Sequence, residues 1–370
     1  MALPVRLPRL LPAAALALTA VLAVGGCTSG NAPSSPAVAS GSTGANGGPA
    51  ALTTAAAAAA FHRYVTTTAM AVRDNDGPLA LSVVTGPQGS VVAAAIKAAG
   101  YAHRALALDP YTYGTPTFYL PQADGYPRFF VASVRRHYPG TDTSAPYAIW
   151  VGSAEAPLNG TALLLFEQSS SGSPWQLDST SVLAFGASMP RLVADGDGAI
   201  PTVPLSATAQ LAEPDITGPL QAAVVDDGPS SAASAAVAAG TLTTGMHAGA
   251  SEHLQGLRPP AGDVYQWSLE GSGYAAFTLR TADGAALVFY SMDLDTLVAT
   301  PSYIDKGSPI EPGPRIDYPA DLDPWIGARP YRHSVQLQDL LTFAAIDPPA
   351  GGGKIQVIAV GGGLNYAAAS

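Results

Sequence analysis

The feature of this chain that most constrains its fold is the order of its hydrophobic patterns, which pass from helix to strand twice. An alanine-rich stretch from residue 51 and two further helical patches come first, and from Tyr111 runs of aromatic and β-branched residues alternate with turn residues. The same order of patterns returns from Pro214. Helices that precede strands, rather than alternating with them, are typical of the α+β class.

The sequence therefore predicts an α+β fold of two tandem lobes, each with helices followed by a curved, mostly antiparallel sheet. The first lobe covers residues 51–186 and the second 214–370, with a proline-rich connector at 187–213. Within the second lobe, Asp283-Gly284 between two strand patterns predicts a type I′ hairpin. The glycines at 361–363 predict a turn near the end of the chain.

The N-terminal 26 residues have the organisation of an export signal. Arg6 and Arg9 precede an apolar run that ends in "Val24-Gly25-Gly26-Cys27", which resembles the bacterial lipobox with Val in place of the usual Leu. The resemblance implies cleavage of residues 1–26 and attachment of a diacylglycerol to the Cys27 thiol. A cleaved secretory signal followed by an incidental free cysteine remains the alternative.

The residues after Cys27 predict a flexible tether. Positions 27–50 are rich in Ser, Gly, Ala and Pro and cannot bury enough apolar surface to offset the entropy of ordering. Cys27 is the single cysteine, so no disulfide within the chain is possible and a hydrophobic core must stabilise the fold. The formal net charge of −10 disfavours nucleic acid as a partner.

The first lobe resembles the NTF2-like superfamily, whose cone-shaped fold (also called cystatin-like) has a long N-terminal helix, two shorter helices and a strongly curved sheet. "GSPWQL" at 172–177 matches the turn and Trp-x-Leu that often open the last strand of that fold. The resemblance implies a concave pocket between helix and sheet. No acid–base motif of the NTF2-like enzymes matches residue by residue, so it assigns no catalytic residue.

The mature chain as a whole resembles uncharacterised actinobacterial (Streptomyces-type) lipoproteins that carry a domain of unknown function. The shared stretches are the lipobox, the Ser/Gly tether, "YTYGTPTFY", "GYPRFF" and "LRTADGAALVF". This resemblance implies a place in the cell, at the extracellular face of the cell membrane, and no particular activity.

Motifs for metal, phosphate or nucleophilic chemistry do not emerge from the sequence. Its six histidines include no His-x-x-x-His pair, and counting from Asp195 fails the ligand spacing of an EF-hand loop. Ser251-Glu252-His253 are sequence neighbours, whereas a catalytic triad is a spatial arrangement. The sequence predicts no metal, no cofactor and no catalytic residue.

Aromatic residues between Tyr111 and Trp150 form the most suggestive cluster. Aromatic side chains in strands usually belong to the core. The alternative is an aromatic-lined pocket for a sugar or an apolar ligand, because tyrosines pair a flat apolar face with a polar tip. The candidate lining residues are Tyr111, Tyr113, Tyr119, Tyr126 and Trp150.

Three functions are consistent with these features. The favoured one is a lipid-anchored extracytoplasmic protein that acts without catalysis, by binding or as an envelope component. The second is an enzyme that uses acid–base chemistry in the NTF2-like pocket, which requires a buried carboxylate or histidine and an open interior. The third is a scaffold for a protein partner, in which the two lobes pack together and expose an apolar groove.

Overall fold

The computed structural model describes most of the chain from Leu52 onward. Residues 150–151, 154–155, 251–256 and 264 are described for the backbone alone, and the described ranges are 52–122, 125–140, 150–151, 154–155, 159–196, 198–256, 264–299 and 334–370. The predicted signal peptide, Cys27 and the tether lie outside them.

The first helix begins and ends at residues suited to cap it. Thr53 accepts a hydrogen bond from the Ala56 N–H at 3.2 Å, and Asn75 ends the first helix with a φ of 53°. The helices are α1 (Thr54–Asp74), α2 (Gly77–Leu81), α3 (Gly86–Ala102), α4 (Thr217–Asp227) and α5 (Thr244–Gly256). Residues 228–230 and 232–235 form short 3-10 turns, because Pro229 and several serines favour turns over a continuous helix.

Twelve strands are found in the described residues, and all the pairs between them are antiparallel. They are β1 (Thr112–Tyr113), β2 (Thr117–Tyr119), β3 (Arg128–His137), β4 (Trp150–Val151), β5 (Ala154–Glu155), β6 (Gly160–Gln168), β7 (Gln176–Leu183), β8 (Val264–Gly271), β9 (Phe277–Arg280), β10 (Ala286–Ala299), β11 (Ser334–Asp347) and β12 (Gln356–Ala369). The predicted α+β class with an antiparallel sheet is confirmed.

β4 and β5 pair with each other in a separate two-stranded sheet. The other ten strands, from both predicted lobes, belong to one sheet, which differs from the expected sheet in each lobe. Its order is β1-β3-β6-β7-β12-β11-β10-β8, with β2 also paired to β3 and β9 to β10. The junction is the pairing of Val182 and Leu183 in β7 with Val360 and Ala359 in β12. An edge strand leaves N–H and C=O groups without partners, and joining two edges satisfies both.

The glycines at 361–363 lie inside β12 and form no terminal turn, so that prediction is wrong. A Cβ atom at Gly361 would overlap the Thr180 carbonyl of β7, and one at Gly362 would overlap the Leu340 carbonyl of β11. Gly362 also has a φ of 111°, a conformation that side chains rarely allow. The glycines therefore permit three strands to approach closely where the two halves of the sheet meet.

The hairpin between β9 and β10 is present, but its turn is not type I′. The Thr281 N–H donates to the Ala285 carbonyl, so the loop has three residues, and Gly284 alone among them has a positive φ, of 85°. A type I′ turn would require positive φ at both of its central residues.

Three buried clusters make up the core. One lies between α1–α3 and the first half of the sheet, and a second between α4, α5 and the second half. The third joins the opposite faces of the two halves, which pack against each other, with the Phe129 and Phe277 rings 4.9 Å apart. The third cluster contains Phe129, Val131, Leu163, Leu165, Leu183, Ile200, Phe277, Leu279, Leu287, Phe289, Ala344, Ile358 and Ala359.

Candidate functional site

A buried carboxylate that is hydrogen-bonded to two tyrosine hydroxyls lies under the first three helices. Asp109 follows α3, and its side chain accepts hydrogen bonds from the Tyr64 hydroxyl of α1 at 2.6 Å and the Tyr113 hydroxyl of β1 at 2.7 Å. α1 brings Tyr64 inward together with Phe61, three residues earlier on the same face. The three groups meet because β1 passes under α1.

The protonation of this group follows from its burial. Burial raises the pKa of the Asp109 carboxyl, while the hydrogen bonds from Tyr64 and Tyr113 and the positive charge of Arg136 act to lower it. Burial, with the nearby Asp109 charge, holds the pKa of both tyrosines well above the usual range. The two phenols therefore stay protonated at neutral pH and remain donors.

Arg136 completes the cluster from β3, where it lies directly opposite Tyr113. The side chain is buried, and its guanidinium carbon lies 4.0 Å from the centre of the Tyr111 ring, within the range of a cation–π contact. The Tyr138 ring meets the Tyr111 ring edge-on, with centroids 6.1 Å apart. Each Asp109 oxygen is occupied by a phenol, so the arrangement ties the 103–111 segment to α1 and β1 and leaves the carboxylate little capacity to act on a substrate.

A second perturbed carboxyl lies in β7. Leu177 and Ser179 of β7 pair with consecutive residues of β6, and Asp178 between them has no pairing partner. Asp178 therefore occupies a β-bulge. Its carboxylate packs against Gly86, the first residue of α3, where a Cβ atom would overlap it. Burial raises the pKa of Asp178 to about 7, the charge of Glu167 adds to the effect, and a hydrogen bond with Ser179 opposes it.

The five aromatic residues proposed for a pocket are not gathered in one place. Tyr111 and Tyr113 lie together beside Arg136. Tyr119 packs on the opposite face of the sheet with the third cluster. Tyr126 is 37% exposed, at the other end of β3, about 30 Å from Tyr111 by strand length. Trp150 begins β4, and its side chain is outside the described residues.

Sequence reasoning missed Tyr64, Asp109, Arg136 and Asp178. The change of pattern at Asp109-Pro110 was the one local signal, since it marks the boundary between helices and strands. A bulge at Asp178 and the inward direction of Arg136 depend on strand register, which one sequence does not specify. No group of three or more potential metal ligands occurs among the described side chains.

Comparison with known proteins identifies the family. A model named "Domain of unknown function (DUF8094)" matches residues 49–367. The chain belongs to this family. An uncharacterised lipoprotein of Streptomyces avermitilis is 27% identical over 230 residues, and one of Streptomyces coelicolor is 26% identical over 235 residues. These matches cover 61% and 62% of this chain and 61% and 63% of the relatives' own lengths.

The comparisons confirm the predicted relationship to uncharacterised Streptomyces lipoproteins and leave the NTF2-like resemblance as a prediction. No solved structure matches the chain significantly. Within the described residues, none of the helices combines the length and the apolar character that spanning a bilayer requires.

Proposed function

We propose that this protein is a lipid-anchored extracytoplasmic protein that acts by binding or as an envelope component, without catalysis. Its anchor is a diacylglycerol on Cys27, and residues 27–50 are a tether between the lipid and the folded body. The lipobox-like "VGGC" and the lipoprotein names of the relatives support the anchor. A tether of this composition and length spans roughly 25 Å r.m.s..

The packing of side chains under α1 is the observation that supports a function without catalysis. The Phe130 and Phe166 rings stack with centroids 4.8 Å apart, and the Phe61 ring meets Phe166 edge-on at 6.5 Å. All three side chains are at most 3% exposed. These rings fill space between α1 and the sheet, where the NTF2-like resemblance implies a pocket, and this packing counts against the open interior that the acid–base alternative requires.

The proposed division into a first lobe at 51–186, a connector at 187–213 and a second lobe at 214–370 is supported by the helix-then-strand order of each half. An NTF2-like origin of the first lobe is supported by α1, α2 and α3 preceding its strands. The scaffold alternative needs an apolar groove that the packed lobes expose. The third cluster buries apolar faces of the two halves against each other, so these faces are not available to a partner.

The anchor is tested by replacing Cys27. We expect Cys27→Ser to abolish incorporation of an alkyne-labelled fatty acid, because serine lacks the thiolate nucleophile. The protein should then accumulate as a precursor or leave the membrane fraction. Ser29→Ala, two residues further on, is the matched control and should label and fractionate like the wild type. A processed Cys27→Ser protein that stays in the membrane fraction at wild-type levels would refute the anchor.

A further inference from the structure

A largely buried arginine lies at the start of β3, and its side chain forms no hydrogen bond or ion pair with the described residues. Arg128 is 8% exposed, and its Nε is buried without a hydrogen bond. Among the described residues, its guanidinium contacts the ring of Tyr126, whose centre is 6.0 Å from the guanidinium carbon. This distance is at the outer limit of a cation–π contact. Arg128 is therefore a largely buried cation whose Nε makes no hydrogen bond and whose charge has only a distant partner in the Tyr126 ring among the described residues.

The nearest acidic residue of the neighbouring strand does not compensate it. Arg128 lies directly opposite Gln168 of β6, and Glu167 lies opposite Phe129. Successive side chains of a strand point to opposite faces, so Glu167 belongs to the face of Phe129 and Arg128 to the face of Phe130. Gln168 donates its own amide N–H to the Ser173 carbonyl at 2.7 Å.

Two aromatic side chains lie on the same face of the sheet as Arg128. Phe130 is the next residue of β3 on that face, and the Trp175 indole lies 5.1 Å from its ring. The register of β6 with β7 ends at Glu167 opposite Gln176, which places Trp175 beside Gln168 and in one row with Arg128. Tyr126, one of the aromatic residues singled out in the sequence, lies two residues before Arg128 and is 37% exposed.

Burying an unpaired charge is costly, and protein chains tolerate it where a ligand of opposite charge binds. A guanidinium forms two parallel hydrogen bonds with a carboxylate or a phosphate, which makes arginine suited to such anions. Neighbouring indole and phenol rings offer apolar contact to the rest of the ligand.

We propose that Arg128 is the anchor of a binding site for a small organic anion. The carboxylate or phosphate of the ligand pairs with the guanidinium, and its apolar body lies against Trp175 and Tyr126. The inference rests on the proposed function in one respect, that the protein acts by binding, and it gives that binding a ligand class and a place. It does not depend on lipidation of Cys27.

The test measures thermal unfolding of the full-length protein, solubilised in a non-ionic detergent and a buffer without organic anions. The probes are benzoate, phenyl phosphate, inorganic phosphate and benzyl alcohol at equal concentrations. We expect benzoate or phenyl phosphate to raise the Tm of the wild type by about 3 °C or more, because a ligand that binds the native state stabilises it. Inorganic phosphate and benzyl alcohol should have smaller effects, because each offers half of the proposed contacts.

Variants at Arg128 separate this site from general effects. Arg128→Met should abolish the anion-dependent shift and should unfold no earlier than the wild type without ligand, because it removes an uncompensated charge. Arg128→Lys keeps the charge, loses the two-pronged geometry and should weaken anion binding about tenfold. Arg135→Met, at an exposed position of the same strand, is the matched control and should respond like the wild type.

The proposal would be overturned if neither organic anion raised the Tm of the wild type, or if the organic anions raised the Tm of Arg128→Met equally. It would also be overturned if benzyl alcohol or inorganic phosphate raised the Tm of the wild type as much as the organic anions do. If Arg128→Met does not fold, Arg128→Lys decides, and undiminished anion binding by it would count against the site. Failure here leaves the anchor at Cys27 untouched, and failure of the Cys27→Ser test leaves this result unchanged.

Discussion

Asp178 carries a carboxyl group whose pKa lies near neutral pH. Its ordinary pKa of 3.8 rises to about 7 because the side chain is buried at the bulge of β7 and faces the charge of Glu167. Between these two values the unfolded chain releases the proton while the folded chain retains it. The protonated carboxyl makes its full contribution to the free energy of unfolding below about pH 4, and this contribution is lost as the pH rises through about 7.

We expect Asp178→Asn to remove much of this pH dependence, because the amide keeps the shape of the side chain and carries no charge. The wild type should lose stability between pH 5 and 8, by at most about 1.4 kcal/mol per pH unit. The variant should be the more stable protein at pH 8. Thermal unfolding followed by circular dichroism across this range measures the difference.

Asp215→Asn, at an exposed position, is the control for this measurement and should retain the wild-type profile. A wild-type Tm that is flat or rises from pH 5 to 8, with Asp178→Asn unchanged, would contradict the assignment.

At the scale of elements, β12 decides how the two halves of the chain meet. Its glycines at 361–363 lie between β7 on one side and β11 on the other, and the Thr342 hydroxyl of β11 donates to the Thr180 carbonyl of β7 at 2.6 Å. Side chains at 361 and 362 would keep these backbones apart. The close junction of three strands therefore requires glycine.

Gly362→Ala should destabilise the protein by about 3 kcal/mol, because it combines a positive φ with overlap at the Leu340 carbonyl. Gly271→Ala is the matched control, since Gly271 also lies in a strand and a Cβ there meets nothing within 4 Å. It should change stability by less than about 0.5 kcal/mol. Urea unfolding gives both values, and equal effects of the two substitutions would show that the junction tolerates a side chain.

At the scale of the whole molecule, the shared sheet and the third cluster make the two halves interdependent. The first half alone would expose the β7 edge and the apolar face of Phe129, Leu163 and Leu165 to water. Exposed edges and apolar faces of this kind are unfavourable in a monomer. We therefore expect residues 52–370 to unfold as one cooperative unit.

Tryptophan fluorescence and far-UV circular dichroism should give coincident urea transitions with a single midpoint. Phe277→Ala, which empties one side of the contact with Phe129, should lower the stability of this single transition by about 3 kcal/mol. Phe185→Ala is the matched control because Phe185 is fully exposed. Two separated transitions, with Phe277→Ala affecting one of them, would show that the halves fold independently.

The elements were largely predictable because their signals are local. Runs of aromatic and β-branched residues indicate β3, β6 and β10. The signal for β12 is weaker, since this strand is rich in alanine and glycine, which have weak strand propensity. The glycines at 361–363 were misinterpreted for the same reason, because a glycine required by neighbouring strands looks locally like a turn.

The sequence by itself determined the α+β class, the family and the expected address at the membrane, because periodicity, caps and the lipobox-like motif each occupy a few consecutive residues. Tertiary structure alone decided that the two halves share one sheet and that both oxygens of Asp109 accept hydrogen bonds from tyrosines. It also decided that Arg128 and Asp178 are buried without an oppositely charged partner among the described residues. These properties depend on contacts between residues far apart in the chain, such as Val182 with Val360. The register that creates such contacts is set by the packing of the whole molecule.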